Sequence, residues 1–213
     1  MKLSLVVPCF GRPQRTLRAM QCVLEQDMDG WEAYFIGDGC PEFQKMMDEG
    51  VFDLFEDNAE IKGNRFIFEN LPEHKGGWGY AARNYAVSRL KGDYTLFMDN
   101  DDVIKRGHFS NYYKAIQNAE CDMVYFNSYI EPIDAIRETE LKFGSIGHSE
   151  IIVRTDFLPN FSQKPEYGHD WELIKHIIDS GALIQKSNNP PTYIVKEIGG
   201  GENRERLYEK GIN

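Results

Sequence analysis

The sequence predicts an α/β fold with a mainly parallel central sheet flanked by helices. Two observations carry that prediction. Short apolar runs alternate with helical patterns through the first hundred residues, in the order strand, helix, strand, helix, strand, helix, strand. Such alternation implies parallel pairing with helices on both faces of the sheet. The chain also has enough apolar material for one substantial core, with 213 residues, 41% hydrophobic and 13% aromatic, and reads as a single domain.

The first strand is Leu3 to Val7, an apolar run that stops at Pro8. Phe10-Gly11-Arg12-Pro13 is a turn, and a helix is expected over about 14–26, with Leu17, Met20, Val23 and Leu24 along one face. The second strand, Glu32 to Ile36, ends in Gly37-Asp38-Gly39. Pro41 then opens a polar helix, as proline favours a first helical turn. A third strand, Arg65 to Glu69, leads into the loop Lys75-Gly76-Gly77-Trp78-Gly79 and a helix over 80–90. Gly92-Asp93 closes that helix before the fourth strand, which starts at Tyr94. The second half is less regular. It offers a helix from Gly107 to Asn118, a strand from Met123 to Tyr129 and another from Ile151 to Arg154. A helix follows from Asp170 to Ser180, with short strands at Leu183-Ile184 and Tyr193 to Val195 and a mobile tail expected over 199–213.

Composition narrows the function. The formal net charge of −10 argues against broad attraction to nucleic acid or anionic membrane, although Lys105, Arg106 and His108 suggest a local basic patch. Cys9, Cys22, Cys40 and Cys121 have no metal-binding spacing and read as buried free thiols. The N-terminal apolar run is too short for a signal segment or a membrane span, so a cytoplasmic protein without stable membrane insertion is expected. No GxGxxG follows the first strand, which excludes the common dinucleotide-binding pattern.

The chemistry concentrates where the fourth strand runs into Asp99-Asn100-Asp101-Asp102. Clustered carboxylates resist ionising together unless a cation is present. Hard oxygen ligands suit Mg2+ or Mn2+, which bind through one or two carboxylates and the phosphates of a substrate. The alternative is a solvated turn, which Asp and Asn also favour. Ligands of open parallel sheets bind beyond the carboxyl ends of the strands. Pro8 to Arg12, Gly37-Asp38-Gly39 and Asp99 to Asp102 all fall at such ends.

Five motifs in order then resemble family 2 glycosyltransferases of the GT-A fold. They are Val6-Val7-Pro8, Gly37-Asp38-Gly39, Ala82-Arg83-Asn84, Gly92-Asp93-Tyr94 running into Met98-Asp99-Asn100-Asp101-Asp102, and Gly168-His169-Asp170-Trp171-Glu172-Leu173. The resemblance covers about residues 3 to 195 and implies an inverting, metal-dependent transfer from a nucleotide sugar, chiefly a UDP-sugar, to a hydroxyl. It divides the domain into a donor half over about 1–102 and an acceptor half over about 103–198.

Site roles follow from the same resemblance. Asp38 would bond the nucleotide base, Asp101 would contact the metal, and Asp99 the ribose or the metal. Pro8, Phe10, Arg12 and Asn100 would complete the donor contacts, with Lys75 and the amides of Gly76 and Gly77 also reaching the donor. Arg83 would pair with a phosphate or a DXD carboxylate, or else lie on a helix surface. Trp78 would stack on a sugar or pack on the sheet. Asp102 would support the metal site or cap the next helix.

Asp170 would be the general base, with an N-cap as the competing role and Glu172 in reserve. His169 stands where the family often has an acid. His148 is an acceptor contact or a structural residue. The late histidine that many members carry has no counterpart after His176, leaving Glu197, Arg204 or the amides of 198–204 to take its place. Acceptors compatible with these features are a glycan, a lipid-linked sugar, a protein or a modified nucleic acid. Two other classes stay open: a sugar-nucleotide nucleotidyltransferase, for which Phe10 to Arg15 makes a poor triphosphate loop, and a non-catalytic nucleotide-sugar-binding module.

Overall fold

A computed structural model describes residues 3–158 and 162–197. The first half alternates as the sequence pattern requires. β1 (Leu3–Cys9), α1 (Pro13–Leu24) and β2 (Trp31–Gly37) are followed by α2 (Pro41–Asp48), α3 (Asp53–Glu60) and β3 (Arg65–Asn70). A 3-10 turn, Gly77–Gly79, leads into α4 (Tyr80–Val87) and β4 (Tyr94–Phe97). The second half comprises β5 (Val103–Ile104), α5 (His108–Ala119), β6 (Met123–Tyr125), β7 (Ser128–Ile130), β8 (Ala135–Arg137), β9 (Ile151–Arg154), α6 (His169–Asp179), β10 (Ile184–Lys186) and β11 (Tyr193–Val195).

Seven strands form the main sheet in the order β10-β6-β9-β4-β1-β2-β3. Its pairings are parallel except that β9 runs antiparallel to both β4 and β6. Every residue of β1 and β2 is buried, which is why both read as continuous apolar runs. Alternate side chains feed two cores. Leu5, Val7, Phe35, Leu96 and Ile152 face α1, α2, α3 and α5. Val6, Ile36, Phe97, Ile151 and Val153 face α4 and α6. Helices therefore cover both faces, as expected.

The four-stranded second sheet, β5-β11-β7-β8, was not legible in the sequence. The single strand expected over 123–129 is two strands in different sheets. Phe126 at the crossing is fully buried and stacked on Tyr112, with ring centroids 3.8 Å apart, so the chain turns there rather than continuing. Helix α3 was also missed, because Ala59 is its one buried residue and its pattern is therefore polar. The tail over 199–213 lies outside the described residues.

Candidate functional site

From β1 the chain proceeds outward through β2 and β3, then returns to place β4 on the other side of β1. A crevice opens at such a reversal, beyond the carboxyl ends of the strands. Phe10 to Arg12 follow β1 there, and Asp99 to Asp102 follow β4.

The four residues of the carboxylate turn separate clearly. Asp99 is the open one, its side chain 56% exposed and 3.8 Å from Arg83 Nη1. Desolvation, with the neighbouring Asp101 and Asp170, pushes its pKa to about 6 against the pull of Arg83, and solvent access moderates that shift. Asp101 pairs with Arg12 and lies 3.9 Å from Arg15 Nη1, while Arg18 Nη2 donates to its carbonyl at 2.5 Å. Asn100 is buried and donates to Thr16 Oγ1 at 2.9 Å, so its amide pins α1 instead of facing the donor side. Asp102 is buried and accepts from Tyr193 O–H at 2.8 Å and Lys196 N–H at 2.9 Å. It does not cap α5, whose N-cap is Gly107. Burial, with Asp99 nearby, raises its pKa to about 8.

Asp38 follows β2 and is 1% exposed. Its carboxylate accepts from the amides of Lys75 at 3.1 Å and Gly76 at 2.9 Å, and lies 3.0 Å from His74 Nδ1. One carboxylate thus folds the glycine loop back over the end of the sheet. Lys75 Nζ pairs with Glu73. Phe10, half exposed, stacks on His74 at 3.9 Å between centroids, leaving an aromatic face beside Asp38. Pro8 is buried at the end of β1 under Gly79, where a Cβ would meet its ring at 2.5 Å.

Arg83 is buried, not on the surface of α4. Its Nε donates to Gln163 Oε1 at 3.0 Å and its Nη2 to His169 Nε2 at 3.0 Å, and Nη2 also reaches the carbonyl of Trp78. A cavity of about 270 Å³ opens beside it, lined in part by Trp78, Asp99, Arg137, Phe143, His148, Tyr167 and Asp170. Trp78 does not pack on the sheet; it is exposed at the rim.

Asp170 stands in the first turn of α6, and Gly168, with φ 94°, occupies the N-cap position. The cap role for Asp170 is thereby overturned, since a left-handed cap suits glycine and Asp170 already has helical backbone. Burial would raise its pKa, but His148 and Arg83 outweigh that and hold it well below the usual carboxylate range. His148 pairs with Asp170 Oδ1 and lies 2.8 Å from Gln163 Nε2, so both of its ring nitrogens are engaged. Glu172 is exposed and is not among the residues lining the cavity.

His108 leaves the expected basic patch. It is 1% exposed, bonded to Thr192 Oγ1 at 2.8 Å and enclosed by Phe109, Tyr112, Phe126 and Tyr193. Glu197 is taken up by Arg15 Nη2 at 2.6 Å. Arg204 and residues 198–204 lie outside the described residues. All four cysteines are free, and three are buried.

Two groupings offer metal ligands. His148, His169 and Asp170 bring ligand atoms within 4.8 Å of one another. Hydrogen bonds already engage the His148 nitrogens and His169 Nε2, and the adjacent guanidinium opposes a second cation. The carboxylate turn fits a hard cation better: Asp99 is open and lies among negative neighbours, and Asp101 beside it offers a carboxylate that now pairs with Arg12. Sequence reasoning missed Gln163, Tyr193 and Arg137; none belongs to a quoted motif, and each acts through contacts distant in the chain.

A mainly parallel α/β sheet with carboxylates gathered at its reversal point places the protein among the open α/β folds that bind ligands beyond their strand ends. The family model for glycosyl transferase family 2 matches residues 4–188, and the chain belongs to that family. Glycosyltransferase GlyG of Streptococcus pneumoniae is 25% identical over 127 residues, covering 60% of this chain and 39% of its own length. WfaP of Escherichia coli, a UDP-Glc:alpha-D-GlcNAc-diphosphoundecaprenol beta-1,3-glucosyltransferase, is 27% identical over 157 residues, 68% of this chain and 62% of that protein. Among solved structures, S. aureus TarS 1–349 with UDP-GlcNAc has a TM-score of 0.78 at 16% identity, covering 98% of this chain and 64% of that one. The mannosyltransferase PcManGT of Pyrobaculum calidifontis, in complex with GDP-Man and Mn2+, has a TM-score of 0.70 at 13% identity, covering 97% and 60%. These structural likenesses establish the GT-A fold. Among the described residues no helix is long and apolar enough to cross a membrane.

Proposed function

We propose that this chain transfers a sugar from a nucleotide sugar to an acceptor hydroxyl, with inversion at the anomeric carbon and Asp170 as general base. The observation that carries this reading is that Asp99, at the end of β4, and Asp170, on α6, line one cavity with Arg83 between them. Donor-side and acceptor-side carboxylates are thus held around a single space where a sugar can pass from one to the other.

Uridine diphosphate is the proposed donor carrier. The exposed face of Phe10, beside the glycine loop that buried Asp38 holds in place, is a flat aromatic surface that suits a pyrimidine base. The UDP-Glc in the name of the E. coli relative and the UDP-GlcNAc bound to TarS support the same choice. Arg12 and Arg15 at the Asp101 side, with the Lys75 ammonium of the glycine loop, supply cations for phosphates, whereas the Gly76 amide is already spent on Asp38.

Asp99 and Asp101 would hold Mg2+ or Mn2+, with Asp101 exchanging its Arg12 partner for the ion. When bound, that ion neutralises charge developing on the departing diphosphate. Asp170 is ionised throughout the neutral range, as its depressed pKa requires. A carboxylate so placed removes the acceptor proton as the hydroxyl oxygen attacks from the face opposite the leaving phosphate. Positioning supplies much of the remainder.

Asp170→Asn should lower turnover by about a hundred- to ten-thousandfold, while UDP affinity measured by calorimetry stays unchanged. Undiminished turnover in that variant would remove Asp170 from the mechanism. Asp101→Ala should abolish the gain in UDP affinity that manganese gives the native protein. A panel of nucleotide sugars scored by donor hydrolysis identifies the donor without a known acceptor.

A further inference from the structure

The hydrogen bonds around Asp170 assign the proton on each neighbouring histidine. A guanidinium only donates, so Arg83 Nε, 3.0 Å away, fixes the Gln163 oxygen on its own side. The Gln163 amide nitrogen then faces His148 Nε2 at 2.8 Å. An amide nitrogen also only donates, so His148 Nε2 must accept and the ring proton sits on Nδ1. That Nδ1–H points at Asp170 Oδ1. Arg83 Nη2 likewise donates to His169 Nε2 at 3.0 Å, which places the His169 proton on Nδ1, 3.0 Å from the Glu166 carbonyl. His169 Nε2 lies 3.2 Å from Asp170 Oδ1 but presents a lone pair to it.

We propose that His148 is a positioning residue for the base, a neutral imidazole locked in its Nδ1–H tautomer by Arg83 and Gln163, which orients Asp170 and keeps it ionised. The proposal rests on Asp170 being the base. It replaces the reading of His148 as an acceptor contact, since both ring nitrogens are already engaged and the side chain is 6% exposed. Burial holds its pKa near 4, so it carries no charge at neutral pH. With the His148 Nδ1–H on Oδ1, Oδ2 is the oxygen left to take the acceptor proton. The other charged or titratable groups facing Asp170 are Arg83, which favours its anion, and Asp99 and Glu150, which oppose it.

Nitrogen-15 spectra of the histidine rings in the native protein test the tautomer, with His148→Asn identifying the signal. A protonated Nδ1 and bare Nε2 are expected at neutral pH, and an Nε2–H form would overturn the proposal. In kinetics, His148→Phe should lower kcat about ten- to a hundredfold, in the range seen when a group orienting a reactive ligand is lost. UDP affinity should not change, and the acid limb of the kcat profile should move to higher pH as the carboxylate loses its donor.

His148→Asn, whose amide can donate from nearly the same place, should recover most of the rate and of the limb. Native kcat and limb in His148→Phe would overturn the proposal, as would His148→Asn being no better than His148→Phe. Should the Phe variant fail to fold, the spectra and the Asn variant decide. The outcomes separate from those for the base itself: an active Asp170→Asn removes the base, whereas an inactive Asp170→Asn beside an unaffected His148→Phe removes only the role of His148.

Discussion

Four aspartates at this site behave differently because each meets different neighbours. Asp99 faces Arg83 across 3.8 Å and stays open, whereas Asp101 is drawn to Arg12. Asp170 is kept anionic by its surroundings, and Asp102 is pushed toward neutrality by burial. Asp102 therefore serves structure: it ties Tyr193 and the Lys196 amide to the carboxylate turn. Its removal would strand the bonding groups of buried Tyr193 and Lys196. Asp102→Ala should cost about 1–3 kcal/mol of stability, read as a lower midpoint in denaturant with an unchanged slope.

At the scale of elements, the site depends on short connections held close to the sheet. Gly39 has φ +59°, and a Cβ there would lie 2.2 Å from the backbone of Glu73 and His74. Backbone cannot yield as a flexible side chain can, so Gly39→Ala should push the 73–76 loop off Asp38. The expected result is weaker UDP binding together with a lower melting temperature, while Asp170 and its partners keep their spectra. Native UDP affinity in that variant would show that the loop is not part of the donor site. The same elements show what was readable beforehand. β1, β2, β4, α4 and α6 were legible because each has either near-continuous burial or a clear apolar face. Helix α3 and the sheet-switching strands β6 and β7 were not, because burial there is too sparse or too brief to set a period.

For the whole molecule, buried ionisable groups couple stability to pH. His108 and His148 are held by burial near pKa 3 and 4. A histidine whose folded pKa lies below its unfolded value, about 6.5, binds fewer protons folded than unfolded. Its contribution is therefore complete above about pH 6.5 and is lost as pH falls toward the folded value. Buried Asp102, raised to about 8, acts oppositely and weakens the fold as pH rises through that value. A comparison at one position isolates the histidine effect. Going from pH 6.5 to 5, native protein should lose about 2 kcal/mol relative to His108→Gln, measured by paired denaturant titrations. Parallel losses in the two proteins would contradict a neutral, buried His108.

By itself the sequence determined the alternation of strands and helices, the carboxylates at the strand ends and the motifs that mark the family. These are local signals, written in apolar period, turn residues and spacing along a few adjacent positions. Tertiary structure alone decided that Arg83 is buried, that Gln163 links it to His148, and that His108 belongs to the core. Arg83 and Gln163 are 80 residues apart in the chain, and no local pattern encodes a hydrogen bond across that distance. The Asp99 to Asp102 turn shows both sources at once. Its composition announced a carboxylate cluster, but only the surroundings separated the open Asp99 from the paired Asp101 and the buried Asp102, because the state of a carboxylate is set by burial and by the charges and donors the fold brings to it.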